Sequence, residues 1–188
     1  MSVVPIPERT RISADRYQKM VAAGVLTKYD RVELIDGDII NMAPIGTQHS
    51  AATARLNRLF VLSAGDSAIV SPGGPVRLGD YSVPQPDLML LKPREDFYAG
   101  QIPTAPDVLL IVEISDSSLA FDQSTKRALY AEHAIAEYWV VDMPGKCVHV
   151  YREPTVDGYA LALEFTLTDS VSPRALPAVR VIVGTLFS

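Results

Sequence analysis

The chain has 188 residues, a length that suits one domain with a sizeable buried core. Its 48% hydrophobic and 21% charged content is typical of a soluble globular protein. Its formal net charge of −5 argues against a uniformly basic surface that would bind nucleic acid, although a local basic patch is compatible with this charge. The single cysteine, Cys147, excludes an internal disulfide and a cysteine-rich zinc site. With neither a signal-peptide pattern after Met1 nor an apolar run of about 18 residues, we expect a cytoplasmic protein without a membrane span.

The first third of the chain predicts helices around one hairpin. The Asp36-Gly37 pair lies between two apolar stretches and suits a two-residue type I′ turn. Serine and threonine are good helix caps, and glycine is a frequent helix stop. In chain order the predicted elements are an extended arm over 1–12, a short helix from Ser13 to Gly24, a hairpin over 31–42, and a long helix that Thr47 caps and Gly65 ends.

The remaining chain predicts mainly strands, with one loop and one helix. The stretch 92–106 is polar and contains three prolines, so we expect a loop there. The other predicted elements are strands near 67–71, 75–79, 86–91, 108–114, 137–142, 147–152 and 159–167, a helix from about Asp122 to His133, and a short strand or helical turn at 179–183. This order predicts an α/β or α+β protein with one central sheet, formed by a single domain over residues 1–188.

Two acidic residues lie at the ends of the most apolar predicted strands. Glu113 closes the run that begins at Val108, and Asp87 opens the run that ends at Leu91. If these strands are antiparallel neighbours, both carboxylates lie at one edge of the sheet, where their repulsion favours a shared cation such as Mg²⁺ or Mn²⁺. The alternatives are that Asp87 caps its strand after Pro86 and that Glu113 pairs with an arginine.

The order of several motifs resembles the Uma family, bacterial proteins of the PD-(D/E)xK nuclease superfamily with a restriction-endonuclease-like fold. The resemblance runs from about residue 10 to 155, and the ordered set is far more specific than the two acidic motifs alone. The matching pieces are Glu33-Leu-Ile-Asp-Gly-Asp-Ile-Ile, His49, Pro86-Asp87, Glu113-Ile-Ser, Asp122-Gln-Ser-Thr-Lys126-Arg-Ala-Leu-Tyr130 and Glu137-Tyr-Trp139-Val-Val-Asp142.

This resemblance implies an α/β restriction-endonuclease-like core, with a mixed central sheet flanked by helices and with an added N-terminal hairpin and C-terminal strands. It also implies metal-dependent hydrolysis of phosphodiester bonds in nucleic acid, with DNA as the expected substrate. Asp87 and Glu113 would hold Mg²⁺ or Mn²⁺, and Glu33 would be a third acid near the metal. Because a cut through both strands needs two sites, we expect a homodimer.

The signature lysine is displaced in this chain. Ser115 stands two positions after Glu113, where the signature has lysine, and the resemblance implies that Lys126 on the following helix supplies the cation. A lysine can reach the site from a neighbouring element and orient water or neutralise a phosphate. The alternative is an exposed pair between Lys126 and Asp122, one helical turn apart.

Three further residues each have a structural alternative. Glu33 would face solvent if its strand simply alternated. His49 could act as a general base or steer a phosphate, although a lone histidine in a first helical turn is more often structural. Tyr130 could hydrogen-bond into the site or simply pack in the core, where we also place Trp139.

Other chemistries have little support. The three histidines are too scattered to suggest a histidine zinc site, and Cys147 alternates with Val148 and Val150 as expected for inert packing. Two further functional hypotheses stay open. One is a catalytically inactive dimer that keeps the nuclease fold for binding or regulation, and the other is a metal-dependent phosphoesterase for small phosphates.

Overall fold

The computed structural model describes residues 9–27 and 29–188, which form two compact units. The first unit comprises the described residues up to Met42 together with Arg77–Pro84, and the second comprises Ala43–Val76 and Gln85–Ser188. Most of the predicted arm lies outside the described residues. None of the described helices has the length and apolar composition that a membrane span requires.

The first unit combines one helix with the predicted hairpin. Ser13 caps the helix as predicted, because its side chain accepts a hydrogen bond from the N–H of Arg16. The hairpin turn is also confirmed, since Asp36 and Gly37 have φ values of 48° and 84°, as a type I′ turn requires. Helix α1 is Ala14–Ala22, and the antiparallel strands are β1 (Val32–Ile35) and β2 (Asp38–Asn41). Ala14, Tyr17, Leu34 and Val83 form its small core.

The second unit is built on a mixed sheet of six strands in the order β3-β4-β5-β6-β7-β8. Only β5 and β6 are parallel, and a helical crossover connects them, as parallel neighbours require. The elements are α2 (Thr47–Ala64), β3 (Ile69–Pro72), β4 (Leu88–Leu91), β5 (Val108–Ser115), α3 (Leu119–Phe121), a π-helical turn (Asp122–Lys126), α4 (Arg127–Glu132), β6 (Glu137–Asp142), β7 (Cys147–Thr155), β8 (Gly158–Phe165), β9 (Ser170–Val171) and β10 (Val181–Ile182), with 3₁₀ turns at Gly65–Ser67, Ala105–Asp107 and Val183–Leu186.

The central strands separate an apolar face from a face that carries polar side chains. On β5, Leu110, Val112 and Ile114 belong to the main core, which also includes Leu56 and Phe60 of α2. Successive side chains of a strand point to opposite faces, so the residues between them point away from this core. The 119–132 helical segment supplies buried partners for that second face. The sheet therefore buries β5 on both sides, as its apolar run predicts.

The predicted strand at 75–79 is wrong. Leu78 forms only an isolated bridge with Ser82, and the chain turns at Gly79, whose φ is 62°. Pro75 lacks a backbone donor and follows two glycines, a composition that favours a turn over a ladder strand. The tail contains both alternatives that were predicted for it, because the short strand β10 leads directly into a 3₁₀ turn.

Candidate active site

The register of β4 and β5 brings the two predicted metal acids together. The strands are antiparallel, with Leu88 opposite Val112. Asp87 therefore lies beside Glu113, and the backbone N–H of Asp87 approaches Oε2 of Glu113 at 3.4 Å. The N–H of Ile114 donates to Oδ2 of Asp87 at 2.7 Å. These contacts hold both carboxylates at one edge of the sheet.

Glu113 is held by donors from the 119–132 helical segment. The Nζ of Lys126 and the hydroxyl of Tyr130 both donate to Oε1 of Glu113, at 2.9 and 2.8 Å. The side chains of Lys126 and Glu113 are only 6% and 4% exposed. The alternative of an exposed pair is therefore wrong for Lys126, and the basic residue seen on Glu113 is a lysine where an arginine was considered. Tyr130 meets both of its predictions, because it is fully buried and also hydrogen-bonds to the acid.

A π-helical turn carries Lys126 into this position and adds a second buried acid, Asp122. The hydroxyls of Ser115 and Ser118 donate to Oδ2 of Asp122 at 2.7 and 2.6 Å, while Oδ1 lies 4.0 Å from Nζ of Lys126. Tyr138 donates to the backbone carbonyl of Asp122, and burial raises the pKa of Tyr138 well above its usual value. Ser115 thus supports the helical turn instead of providing the signature cation.

Tyr130→Phe is expected to lower the free energy of unfolding by about 1.5–3 kcal/mol, because a hydrogen bond to a buried carboxylate is lost. Denaturant unfolding monitored by circular dichroism measures this change. Tyr29→Phe is a matched control, since Tyr29 is 82% exposed. Equal stability of Tyr130→Phe and the wild type would contradict a structural role for this hydroxyl.

His49 connects Asp87 to an open cleft. Helix α2 begins at Thr47, and Gly46 is its N-cap, without a side-chain hydrogen bond, so the predicted threonine cap is wrong. The first turn places Nε2 of His49 3.0 Å from Oδ2 of Asp87. Its Nδ1 is buried and has no hydrogen-bond partner among the described residues. A cleft of about 390 Å³ is lined by His49, Asp87 and the Pro72-Gly73 turn.

Glu33 lies in the first unit, on β1, and is 2% exposed. The interpretation as a solvated strand acid is therefore wrong. Burial does not alternate along the short strand β1, where three successive residues, Glu33 to Ile35, are all buried. A role for Glu33 beside a metal stays a prediction from the family resemblance.

The donor set at the sheet edge fits a hard divalent cation. Asp87 and Glu113 provide carboxylate oxygens, which Mg²⁺ and Mn²⁺ prefer, and the cleft beside Asp87 leaves room for water and a phosphate. Lys126 and Tyr130 donate to Oε1 of Glu113, whereas Oε2 faces the backbone N–H of Asp87.

A second group of possible metal ligands was not foreseen. Asp142, Cys147 and His149 place one ligand atom each within 4.8 Å of one another. The sequence does contain a signal for it: Asp142 precedes a short turn, and Cys147 and His149 follow that turn two positions apart. It depends on the pairing of Asp142 with Cys147 in a β-hairpin, which local pattern alone does not establish. The interpretation of Cys147 as mere packing is therefore incomplete.

The sheet and its surrounding helices define a nuclease-like α/β fold. A solved structure described as "a putative nuclease belonging to DUF820" from Anabaena variabilis is similar over 94% of this chain and 97% of that chain, with a TM-score of 0.74 and 21% sequence identity. The family described as Uma2, "Putative restriction endonuclease", matches residues 15–184, and the chain belongs to this family. No protein with a curated description matches the sequence. The fold class and the family resemblance are thus confirmed, and together they support a nuclease.

Proposed function

We propose that this protein is a metal-dependent endonuclease that hydrolyses phosphodiester bonds in DNA. The observation that carries the proposal is the pair of carboxylates, Asp87 and Glu113, at one sheet edge with Lys126 2.9 Å from Glu113. Two acids for a cation and a lysine for a phosphate are the groups that phosphodiester hydrolysis requires. Asp87 borders an open cleft, where a nucleic acid backbone can approach.

Each residue of the site has a role in this proposal. Asp87 and Glu113 hold Mg²⁺ or Mn²⁺, which when bound lowers the pKa of water and stabilises negative charge on the leaving oxygen. Lys126 orients the attacking water or neutralises the scissile phosphate. His49, which lines the cleft and contacts Asp87, acts as a general base or steers a phosphate. Glu33 is the third acid.

The reaction proceeds by in-line attack. The oxygen of a water molecule bonds to phosphorus and the bond from phosphorus to the 3′ oxygen breaks. The attacking water gives up a proton to the surroundings, and the leaving 3′ oxygen takes up a proton from solvent. The products are a 5′ phosphate and a 3′ hydroxyl. We further propose that the protein is a homodimer, because two copies provide two sites for the two strands of a duplex. We propose the cytoplasm as the place where it works.

One observation favours a second function. Protein groups already contact both acids, because Lys126 pairs with Glu113 and Nε2 of His49 lies 3.0 Å from Oδ2 of Asp87. Such a site is stable without metal, as a catalytically inactive dimer with a binding or regulatory function would require.

Asp87→Asn separates these functions. Wild type is incubated with labelled DNA, RNA and a small phosphate ester, each with Mg²⁺ or Mn²⁺ and with chelator. We expect metal-dependent DNA cleavage that Asp87→Asn reduces by at least about 100-fold, because the metal loses a charged ligand. Asp66→Asn is the control, since Asp66 is exposed in the 3₁₀ turn after α2. Absence of metal-dependent cleavage in wild type supports the binding module, and cleavage of the small ester alone supports the phosphoesterase.

A further inference from the structure

Three potential metal ligands converge on the polar face of the β6-β7 hairpin. The Sγ of Cys147 lies 3.5 Å from Nε2 of His149, and Oδ2 of Asp142 lies 3.7 Å from the same nitrogen. All three ligand atoms lie within 4.8 Å of one another. Sulfur, imidazole nitrogen and carboxylate oxygen together are a donor set for Zn²⁺ and similar transition metals, whereas Mg²⁺ prefers oxygen alone.

The strand register produces this convergence. Asp142 of β6 is directly opposite Cys147 of β7, and His149 is opposite Glu164 of β8. Directly paired residues, and residues two apart on one strand, project from the same face of a sheet. The neighbouring Val148 and Val150 belong to the apolar core on the other face. The arrangement therefore follows from the backbone of three adjacent strands.

Two of the three distances between ligand atoms suit tetrahedral coordination. Around Zn²⁺ with bonds of about 2.0–2.3 Å, tetrahedral ligand atoms stand about 3.3–3.8 Å apart. The two distances from Nε2 of His149, 3.5 and 3.7 Å, fall in this range. On the opposite side of the ring, Oε2 of Glu164 lies 3.6 Å from Nδ1. Metal-binding histidines commonly direct their second ring nitrogen to a carboxylate, which leaves the lone pair on the metal-facing nitrogen.

A tight turn prepares the carboxylate. The N–H of Gly145 donates to Oδ1 of Asp142 at 2.7 Å, so Oδ2 is the oxygen that faces the histidine. A Cβ at position 145 would lie 2.5 Å from Oδ2, which explains the requirement for glycine here.

We propose that Asp142, Cys147 and His149 bind a Zn²⁺-class transition metal, with Glu164 as the positioning residue for His149. Three protein ligands leave a fourth position for water or an exogenous donor. Solvent can reach it, because the side chains of Asp142 and His149 are 11% and 19% exposed. None of these ligands is Asp87 or Glu113, and the proposal does not depend on nuclease activity.

A free cysteine nucleophile is a poorer explanation of the cluster. Cys147 is only 7% exposed, and burial, with the charges of Asp142 and Glu164, raises the pKa of its thiol. An activated thiol needs the opposite shift. A divalent cation reverses this electrostatic balance, because it displaces the thiol proton to solvent and binds the thiolate.

Titration with Co²⁺ tests the site. Cys147 is the only cysteine, so any thiolate-to-cobalt charge-transfer absorption reports this residue alone. We expect one such site per chain in reduced wild-type protein, displaced by Zn²⁺. Cys147→Ser should abolish the band, and His149→Gln, which removes a ligand, should weaken binding at least about 100-fold. Glu164→Gln should weaken binding about tenfold while the band persists. Zn²⁺ should also slow alkylation of Cys147 in wild type, which needs no variant to fold.

Two controls locate the metal. His133→Gln should bind Co²⁺ like wild type, since His133 ends helix α4 and is not part of the cluster. Asp87→Asn should also keep the band. The proposal is overturned if wild type shows no charge-transfer band and no Zn²⁺ protection of Cys147, if folded His149→Gln binds as tightly as wild type, or if Asp87→Asn abolishes binding.

Discussion

Glu113→Gln is expected to reduce metal-dependent cleavage by about 1000-fold while the fold is retained. Glutamine keeps the shape of the side chain and an oxygen that can accept from Lys126 and Tyr130, but it removes the negative charge that a divalent cation requires. Initial rates with labelled DNA at saturating Mn²⁺ measure the loss. Circular dichroism at the assay temperature checks that Glu113→Gln, which leaves Lys126 buried without its carboxylate, is still folded when the rate is measured.

Glu132→Gln is the matched control for this variant. Glu132 is exposed at the end of α4, so the same chemical change there should leave the cleavage rate within about twofold. A folded Glu113→Gln protein that cleaves within tenfold of wild type would contradict a role for Glu113 in holding the metal.

Lys126→Met is expected to lower the free energy of unfolding by about 3–5 kcal/mol, because it leaves the carboxylate of Glu113 buried without its cation. The two side chains are 6% and 4% exposed, so solvent screens their interaction little. Denaturant unfolding gives the difference. Lys92→Met, at an exposed lysine of the same unit, should change stability by less than about 0.5 kcal/mol.

A double variant distinguishes charge from packing. The double variant Lys126→Met/Glu113→Gln leaves no charge of the pair buried. Its loss in free energy of unfolding should therefore be smaller than the sum of the losses of the two single variants. Additive losses would contradict the buried ion pair. Lys126→Met and the double variant should both lose cleavage, because Lys126 is the cation of the proposed site.

Local chemistry made part of the fold predictable. The Asp36-Gly37 pair dictates the tight turn of the hairpin, since both residues accept positive φ. The apolar runs that contain Asp87 and Glu113 predict strands buried within a sheet. The antiparallel pairing of these strands places both acids at one edge. In contrast, the segment near 75–79 had apolar residues but also the glycines and proline that turn the chain.

Tertiary context determined the features that the sequence concealed. Lys126 is one helical turn from Asp122, which is equally compatible with an exposed pair, and only packing of the helix on the sheet buries it against Glu113. A π-helical turn has no reliable local signal. The cluster around His149 depends on cross-strand register among three strands, which periodicity does not specify.

Calorimetric titration of Mn²⁺ into wild type and Asp87→Asn tests the central claim most directly. Mn²⁺ binds such oxygen sites more tightly than Mg²⁺ in general, and both proteins retain the Asp142 cluster, so their difference isolates the site at Asp87. We predict a binding event in wild type that is weakened at least about tenfold in Asp87→Asn and preserved in Asp66→Asn. Equal binding by wild type and Asp87→Asn, or binding by neither, would contradict the metal site on which the proposed nuclease depends.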